Sequence, residues 1–388
     1  MHPHIPIHDL WWLAAGSASY GARYVRNKVK THRNVIRRKK LRDPTDDLLH
    51  FQARYGYNAH SLVSIAPGAN AWMSPNVEGA IVYGEFGRVW LAAGDPIAKP
   101  ADIPDLVNGF LAEAKRKRRI AAFVPATENF ARQATSLNLV ALKVGAAPYF
   151  DLQTWNPRGN AAKKMRAGVN QALRSGVKIE PIGELTEVIR SEVADLSLSW
   201  LKSRPAATTF GWLLALDPFL HFTKKKMFAA RDKDGRMIGL LSVSPIPARQ
   251  GWYLEDVLRS EDSPSGTSDL LVVETLKRLK AEGALLATLG TAPLAKEGED
   301  QLSTREHPVI ELALRAISRR FGVFYSFAGL RTFKSKFVPS WWESEYVLVP
   351  DGALVPPRVA HAILRALVPG GMKQLLTRKA LRSIKNRV

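Results

Sequence analysis

Residues 325 to 349, YSFAGLRTFKSKFVPSWWESEYVLV, set three cations, Arg331, Lys334 and Lys336, among the aromatics Tyr325, Phe327, Phe333, Phe337, Trp341 and Trp342. A solvated loop has no use for so many aromatics, and a core strand does not tolerate unpaired cations. The stretch therefore reads as the edge of a site for an anionic group. Arg331 offers a planar fork suited to two parallel bonds to phosphate, whereas Lys334 and Lys336 act as point charges. Carboxylates gather elsewhere, at Glu255 and Asp256 in GWYLEDVLRS and at Glu261, Asp262 and Asp269 in RSEDSPSGTSDLL. Side chains alternate along a strand, so only one of Glu255 and Asp256 is expected to face a site, and Asp256 is the choice. Buried there, it needs a partner, and an ion pair to Arg331 or Lys334 is the structural alternative to a ligand. Thr267 or Ser268 suits a helix cap. Thr291, in GTAP at the carboxyl end of an apolar strand, lies where ligands gather in α/β sheets, although it also suits a strand terminus. The chain has no cysteine, which excludes a thiolate nucleophile or thiolate metal site. The histidines show no spacing that suggests a metal centre.

The elements that position these residues fall into two similar halves. The first reads GAIVYGEFGRVWLAAGDPI as two strands and a turn, then the helix DLVNGFLAEAKRKR, the strand IAAFVPAT, the helix NFARQATSLNL and the strand VALKVGAAPYFDL. The second reads KKKMFAARDKDGRMIGLLSVSPI as a hairpin turning at Asp234-Gly235, followed by the strand GWYLEDVLRS, the helix SDLLVVETLKRLKAEG and the strand ALLATLGTAPL. A hairpin feeding a strand–helix–strand unit, seen twice, predicts a duplicated α/β module. With 388 residues, two or three domains are accessible.

Charge narrows the partners. Fifty-six Lys and Arg against 35 Asp and Glu leave a formal charge of +21, with a pI near 10.2. Such a surplus points to polyanions, either nucleic acid or an anionic membrane surface. Residues 23 to 42 hold ten cations with no acid between them, and MKQLLTRKALRSIKNRV after residue 371 alternates Met372, Leu375, Leu376, Ala380 and Ile384 with basic residues at helical spacing. The latter pattern suits either an anionic bilayer surface or packing on the protein. No apolar run is long enough to predict a membrane span, and IPIHDLWWLAAGSASYGARYV lacks the basic leader of a signal peptide.

Strand, loop, helix and strand behind a hairpin resemble the acyltransferase fold best known from acetyl-CoA enzymes. Those enzymes cradle pyrophosphate on a glycine-rich loop at a helix N-terminus. Here the loop holds one glycine, Gly266, and three acids, which weakens a CoA reading. Six blocks in one order then resemble a particular family: YGYNAHSLVSI, RVWLAAGDPI, GNAAKKMRAGVNQALRSG, EDVLRSEDSPSGTSDLLVVETLKRLKAEG, LATLGTAPL and FYSFAGLRTFKSKFVPSWW. Together they resemble the catalytic domain of the lysyl- and alanyl-phosphatidylglycerol synthases over residues 46 to 350. The resemblance implies an α/β fold of two tandem acetyltransferase-like domains, each a mixed sheet flanked by helices. The domains expected are a basic arm over 1–45, modules over 46–156 and 157–352, and basic amphipathic helices over 353–388. It also implies transfer of an aminoacyl group from aminoacyl-tRNA to a lipid hydroxyl at the cytoplasmic membrane face, with no cofactor or metal and with anionic lipid as acceptor or docking surface. Asp269 or Asp256 would then orient the α-amino group or take a proton, with Thr291 and Ser268 near the substrate. Arg331, Lys334, Lys336 and Tyr325 would meet the RNA end or lipid head group. Lys163, Lys164, Arg166, Asn170 and Arg174 would contact phosphates. The multi-helix membrane domain of better-known members is absent from this sequence, which leaves the acceptor open to sterols, diacylglycerol or other lipids. The alternatives are acyl-CoA-dependent N-acyltransfer and a non-enzymatic RNA- or membrane-binding protein on the same fold.

Overall fold

The computed structural model describes residues 44–203, 216–298, 302, 327–352 and 355–367. The basic arm, the basic segment after residue 371 and Tyr325 lie outside them. The first half comprises α1 (Thr45–Tyr55), β1 (Asn70–Trp72), β2 (Gly79–Phe86), β3 (Val89–Ala93), β4 (Ile97–Ala98), α2 (Ile103–Arg116), β5 (Ile120–Thr127), α3 (Glu128–Ala134) and β6 (Leu139–Asp151). The second continues with α4 (Lys163–Arg174), β7 (Lys178–Ile182), α5 (Glu187–Ser203), β8 (Lys226–Arg231), β9 (Met237–Ile246), β10 (Gly251–Arg259), α6 (Thr267–Ala281), β11 (Leu286–Thr288) and β12 (Ala292–Pro293). After these come α7 (Phe327–Ser335), β13 (Trp341–Pro350) and α8 (Val355–Leu367).

Local sequence accounts for these elements. In α2, Ile103, Leu106, Val107, Phe110 and Ala114 recur at helical spacing and are buried, while Lys115 and Arg116 close the helix where its dipole favours cations. All five residues of β3 are buried, as expected of a strand covered on both faces. The β8–β9 turn forms where Asp232 Oδ1 accepts the N–H groups of Asp234 and Arg236, and Gly235 takes φ +80°.

The strands form one mixed sheet of 13, ordered β1-β2-β3-β5-β13-β6-β11-β10-β9-β8-β7, with β4 on β2 and β12 on β6. Its pairings are antiparallel except β3 with β5 and β10 with β11. The last strand, β13, does not extend the second half; it lies between β5 and β6. Each parallel pair is closed by a crossover helix, α2 in one case and α6 in the other. Because β11 opposes β6, β6 opposes β13 and β13 opposes β5, the two parallel pairs run head to head. Their carboxyl ends meet mid-sheet, where Glu345 of β13 sits opposite both Thr127 of β5 and Gly145 of β6, and Pro293 also pairs with Gly145.

Helices cover both faces. In the second half, Leu254, Leu241 and Val243 pack with Leu270, Leu271 and Val272 of α6, while Leu240 and Leu258 pack with Val193 and Leu196 of α5. In the first half, Leu106, Val107 and Phe110 of α2 pack with Phe130 of α3 over one face, and Val359, Ala362 and Ile363 of α8 over the other. No described helix is long and apolar enough to cross a membrane.

Candidate active site

The register of β10 against β9 slips between Leu254 and Asp256, leaving Glu255 as the extra residue of a bulge. The slip corrects the expectation from simple alternation. Ser244 Oγ donates to Glu255 at 2.7 Å and Ser242 Oγ donates to Asp256 at 3.2 Å. Those serines are two apart on β9, so both carboxylates lie on one face of the sheet. Their shared cation is Lys225, whose fully buried Nζ lies 3.0 and 2.9 Å from the two oxygens of Glu255; neither Arg331 nor Lys334 fills that role. Asp256 is deeply set yet keeps some accessible surface. Burial first, then the Glu255 charge, pushes its pKa far above the carboxylate range, against the pull of Lys225 and the Ser242 bond.

Beyond Tyr253 the sheet opens. Strands β10 and β11 pair only through Tyr253 and Thr288, after which β10 runs on to Arg259 and the other chain turns off at Leu289. Gly290 takes φ +69° here, and a Cβ on it would lie 2.5 Å from the Tyr253 ring, so only glycine fits. The His60 ring packs on Tyr253 with centroids 5.2 Å apart. Asn58 holds His60: its Oδ1 accepts the His60 N–H at 2.8 Å, and its Nδ2 donates to Asp95 Oδ1 at 3.0 Å and to Pro125 O at 2.8 Å. Asp95 in turn accepts Thr127 N–H at 2.9 Å and Thr127 Oγ1 at 2.6 Å, tying the ends of β3 and β5 together. Burial, reinforced by Lys334, pushes the His60 pKa down to about 4, so its imidazole is neutral near pH 7.

Lys334 completes the centre. It is buried, and its Nζ donates to Gly290 O at 2.8 Å and Thr291 O at 2.6 Å. Contrary to the sequence expectation, it meets backbone carbonyls and is closed off from any exterior phosphate. Burial lowers its pKa to about 7, opposed by Glu345. Burial likewise raises Glu345 to about 7, opposed by the Thr291 hydroxyl and Lys334. Thr291 Oγ1 lies by Glu345, but the two make no well-formed bond; Thr291 Oγ1 and Glu345 Oε2 are buried with no hydrogen-bond partner among the described residues. Two orphaned polar atoms at the meeting point of two strand pairs are what a bound substrate would satisfy.

Asp269 belongs to the opposite layer. It lies in the first turn of α6, pairs with Lys336 and presses on Gly168 of α4. Lys336 also stands over the rings of Phe333 and Phe337, at 4.5 and 5.3 Å, so these aromatics shield an ion pair. Asp269 and Asp256 therefore do not converge on one ligand. Nor do Thr267 and Ser268 cap α6: Thr267 Oγ1 donates back to Pro264 O at 2.7 Å, and the cap residue is Gly266, φ +87°, with no side-chain bond. A Cβ on Gly266 would lie 1.9 Å from Gly168 O, so α4 abuts the start of α6. A Cβ on Gly168 would lie 2.2 Å from Asp269 Oδ2. Gly168→Ala is expected to push Asp269 off Lys336 and to lower stability by about 1–3 kcal/mol, read as a drop in the urea midpoint; an unchanged midpoint would show that α4 yields freely.

On the outer side of α4, Lys163, Lys164, Arg166, Asn170 and Arg174 are all exposed, and Met165 and Ala172 face inward. Arg331 is exposed and paired with Glu297, and Ser268 is half-buried. Sequence reasoning missed His60, Asn58, Asp95, Lys225, Glu255 and Glu345. Glu345 left one signal, an acid at an inward position of the apolar run EYVLV.

Residues 52–349 match the family model described as phosphatidylglycerol lysyltransferase, C-terminal. Among named relatives, the phosphatidylglycerol lysyltransferase of Bacillus subtilis is 25% identical over 301 residues, 77% of this chain and 34% of that protein. The lysylphosphatidylglycerol biosynthesis bifunctional protein LysX of Mycobacterium avium is 26% identical over 281 residues, 71% of this chain and 23% of that protein. This chain thus spans about a third of the first relative and a quarter of the second. Among solved structures, L-PGS from Bacillus licheniformis superposes with a TM-score of 0.68 at 20% identity, covering 80% of this chain and 92% of that one. A C-terminal domain provisionally assigned to a lysylphosphatidylglycerol synthetase of Agrobacterium fabrum gives 0.70 at 23%, covering 84% and 98%. The sequence resemblance and the fold agree, and the chain belongs to the family of phosphatidylglycerol lysyltransferase C-terminal domains.

Proposed function

We propose that the chain transfers an aminoacyl group from aminoacyl-tRNA to a hydroxyl of a membrane lipid, phosphatidylglycerol or a similar acceptor, as an enzyme working peripherally at the cytoplasmic membrane surface. The observation that carries this reading is the mid-sheet centre: Tyr253, three residues before Asp256 on β10, packs at Gly290, and Lys334 holds the Gly290 and Thr291 carbonyls beside Glu345. An aminoacyl ester is already activated, so the reaction needs positioning and proton transfer rather than a cofactor. The acceptor oxygen attacks the ester carbonyl, the bond to the terminal ribose oxygen breaks, and the acceptor's proton ends on that ribose oxygen. Asp256, protonated in the free protein, gives up that proton as it takes the ammonium of the aminoacyl group as its counter-charge. Lys334 carries the proton: as a neutral amine it has one hydrogen for each of the two carbonyls and a free lone pair. Thr291 and Glu345 hydrogen-bond the reacting ester and acceptor. Asp269 and Lys336 act from behind by fixing α4, whose Lys163, Lys164, Arg166, Asn170 and Arg174 meet RNA phosphates, as do Arg331 and Tyr325 at the RNA end. The two halves, 46–156 and 157–352, serve as paired modules, with the basic segments 1–45 and 353–388 as further contacts.

Two rival readings fare worse. A CoA pyrophosphate needs the free N-terminus of the helix after the splayed strand, and the backbone of Gly168 stands at the start of α6. A non-enzymatic binding protein has no need for buried orphan groups beside an accessible buried carboxylate. The test supplies the protein with tRNA carrying a labelled amino acid and total membrane lipid. Label should enter the lipid extract and should vanish after RNase treatment. Label arriving instead from acetyl-CoA, with none from any charged tRNA, would overturn the proposal.

A further inference from the structure

A second cationic surface lies at the far end of the first half, away from the centre and from α4. At the C-terminus of α2 the chain reads Lys115-Arg116-Lys117-Arg118-Arg119. Glu113 neutralises two of these, Arg116 at 2.6 Å and Lys117 at 3.2 Å. Lys115 and Arg118 are exposed, and no described acid pairs with either. Arg118 takes φ +55° where the helix unwinds, and Arg119 Nη1 reaches across to Gly87 O at 2.7 Å. This bond draws the β2–β3 turn, with its exposed Arg88, against the basic run. From the other side, Arg365 of α8 brings Nη1 within 3.7 Å of where a Cβ on Gly87 would stand. Arg358, His361 and Arg365 share the exposed face of α8, opposite its buried Val359, Ala362 and Ile363. Arg88, Arg119 and Arg365 thus gather at one turn, with Lys115 and Arg118 exposed in the basic run that Arg119 ties to it, and Glu85 and Asp351 are the acids nearest in the chain to these strand ends.

We infer that this cluster is a docking surface for the phosphate backbone of RNA, at a distance from the reacting end. Its position selects the ligand. The cluster borders the start of β5, and Thr127 at the other end of that strand pairs with Glu345 at the centre. Eight residues of strand separate the two by roughly 25 Å. A lipid whose tail stays in the bilayer does not span that gap, whereas a folded RNA does. The large apolar residues exposed in the described chain, Leu173, Val188, Leu285 and Trp341, all lie elsewhere, so the cluster's described elements present no large apolar side chain to lipid. Arginine predominates in it, and its fork matches phosphate. The inference deepens the tRNA reading above and rests on it for the identity of the RNA.

The experiment measures binding of deacylated tRNA to the full chain across a salt series, for the native protein and the double variant Arg88→Glu/Arg365→Glu. Affinity should fall at least about tenfold, and the slope of log affinity against log salt should flatten by about 1.5, since each lost phosphate contact removes roughly 0.7–0.9. Transfer from a short aminoacylated 3′-terminal oligonucleotide, which ends before the cluster, should be unchanged. The variant Lys115→Ala/Arg118→Asn, in which asparagine tolerates the left-handed backbone, should repeat the result if the first variant unfolds. Unchanged tRNA affinity and slope would overturn the inference, as would a loss confined to sedimentation with phosphatidylglycerol vesicles, which would make the cluster a membrane contact. A native protein that binds tRNA through the cluster but transfers nothing would sink the proposed reaction and leave this inference standing.

Discussion

Asp256→Asn should lower aminoacyl transfer by about 10²-fold, while the variant folds better than the native protein at alkaline pH. The amide keeps the shape and can still bond Ser242 Oγ, but it no longer holds an ammonium. The stability half of the result follows from linkage. The folded-state pKa of Asp256 lies above its unfolded value, because burial and Glu255 disfavour the charge. The folded protein therefore holds the extra proton, and stability from this group is complete below the ordinary carboxylate range and declines as pH rises towards the raised value. Asparagine has no proton to lose, so the gap between variant and native thermal midpoints should widen in favour of the variant from pH 5 to pH 8. Full activity would remove Asp256 from the site, and a constant gap would show that its carboxyl ionises normally. Lost activity with gained stability is a signature that a purely structural carboxylate does not give.

Lys334→Met should cost about 3–5 kcal/mol, the largest stability effect expected in the molecule, with transfer lost as well. Methionine fills a similar volume but leaves the Gly290 and Thr291 carbonyls without their donor and strands Glu345 among apolar groups. Here the linkage has the opposite sign. Lys334 is depressed from 10.5 to about 7, so its contribution is full above the ordinary lysine value and is lost as pH falls through 7. Urea midpoints taken between pH 7 and 10 should climb for the native protein relative to Lys334→Met. Adding Glu345→Gln should recover part of the loss, because the stranded carboxyl is then neutral. A single variant as stable as the native protein across this range would mean that Lys334 is not buried against those carbonyls.

Much of the architecture is legible in the residues themselves. The strand–helix–strand order, the Asp234-Gly235 turn and the apolar face of α2 follow from spacing and turn chemistry, because each depends on neighbours a few residues away. The centre is less so, for a physical reason. Its polar groups come from the 58–60 loop, the ends of β3 and β5, the bulge in β10, α7 and β13, and only the head-to-head sheet brings them together. A bulge adds one residue that no periodicity announces, so the rule of alternation placed Glu255 on the wrong face. The 331–336 cations were visible as a cluster, but helix α7 and the turn after it send them three ways: Arg331 outward to Glu297, Lys334 into the centre and Lys336 back to Asp269. Their common sign suggested a common task that the fold does not give them.

The placement of β13 also sets an order of events. During synthesis β5 and β6 are complete while the strand that joins them is still about 190 residues from emerging. Until then each presents an unpaired edge to the ribosome's surroundings, the condition under which strands find wrong partners. Glu345 arrives on that same late strand. The chain therefore completes its candidate centre, by the arrival of Glu345, in the same step that seals its sheet.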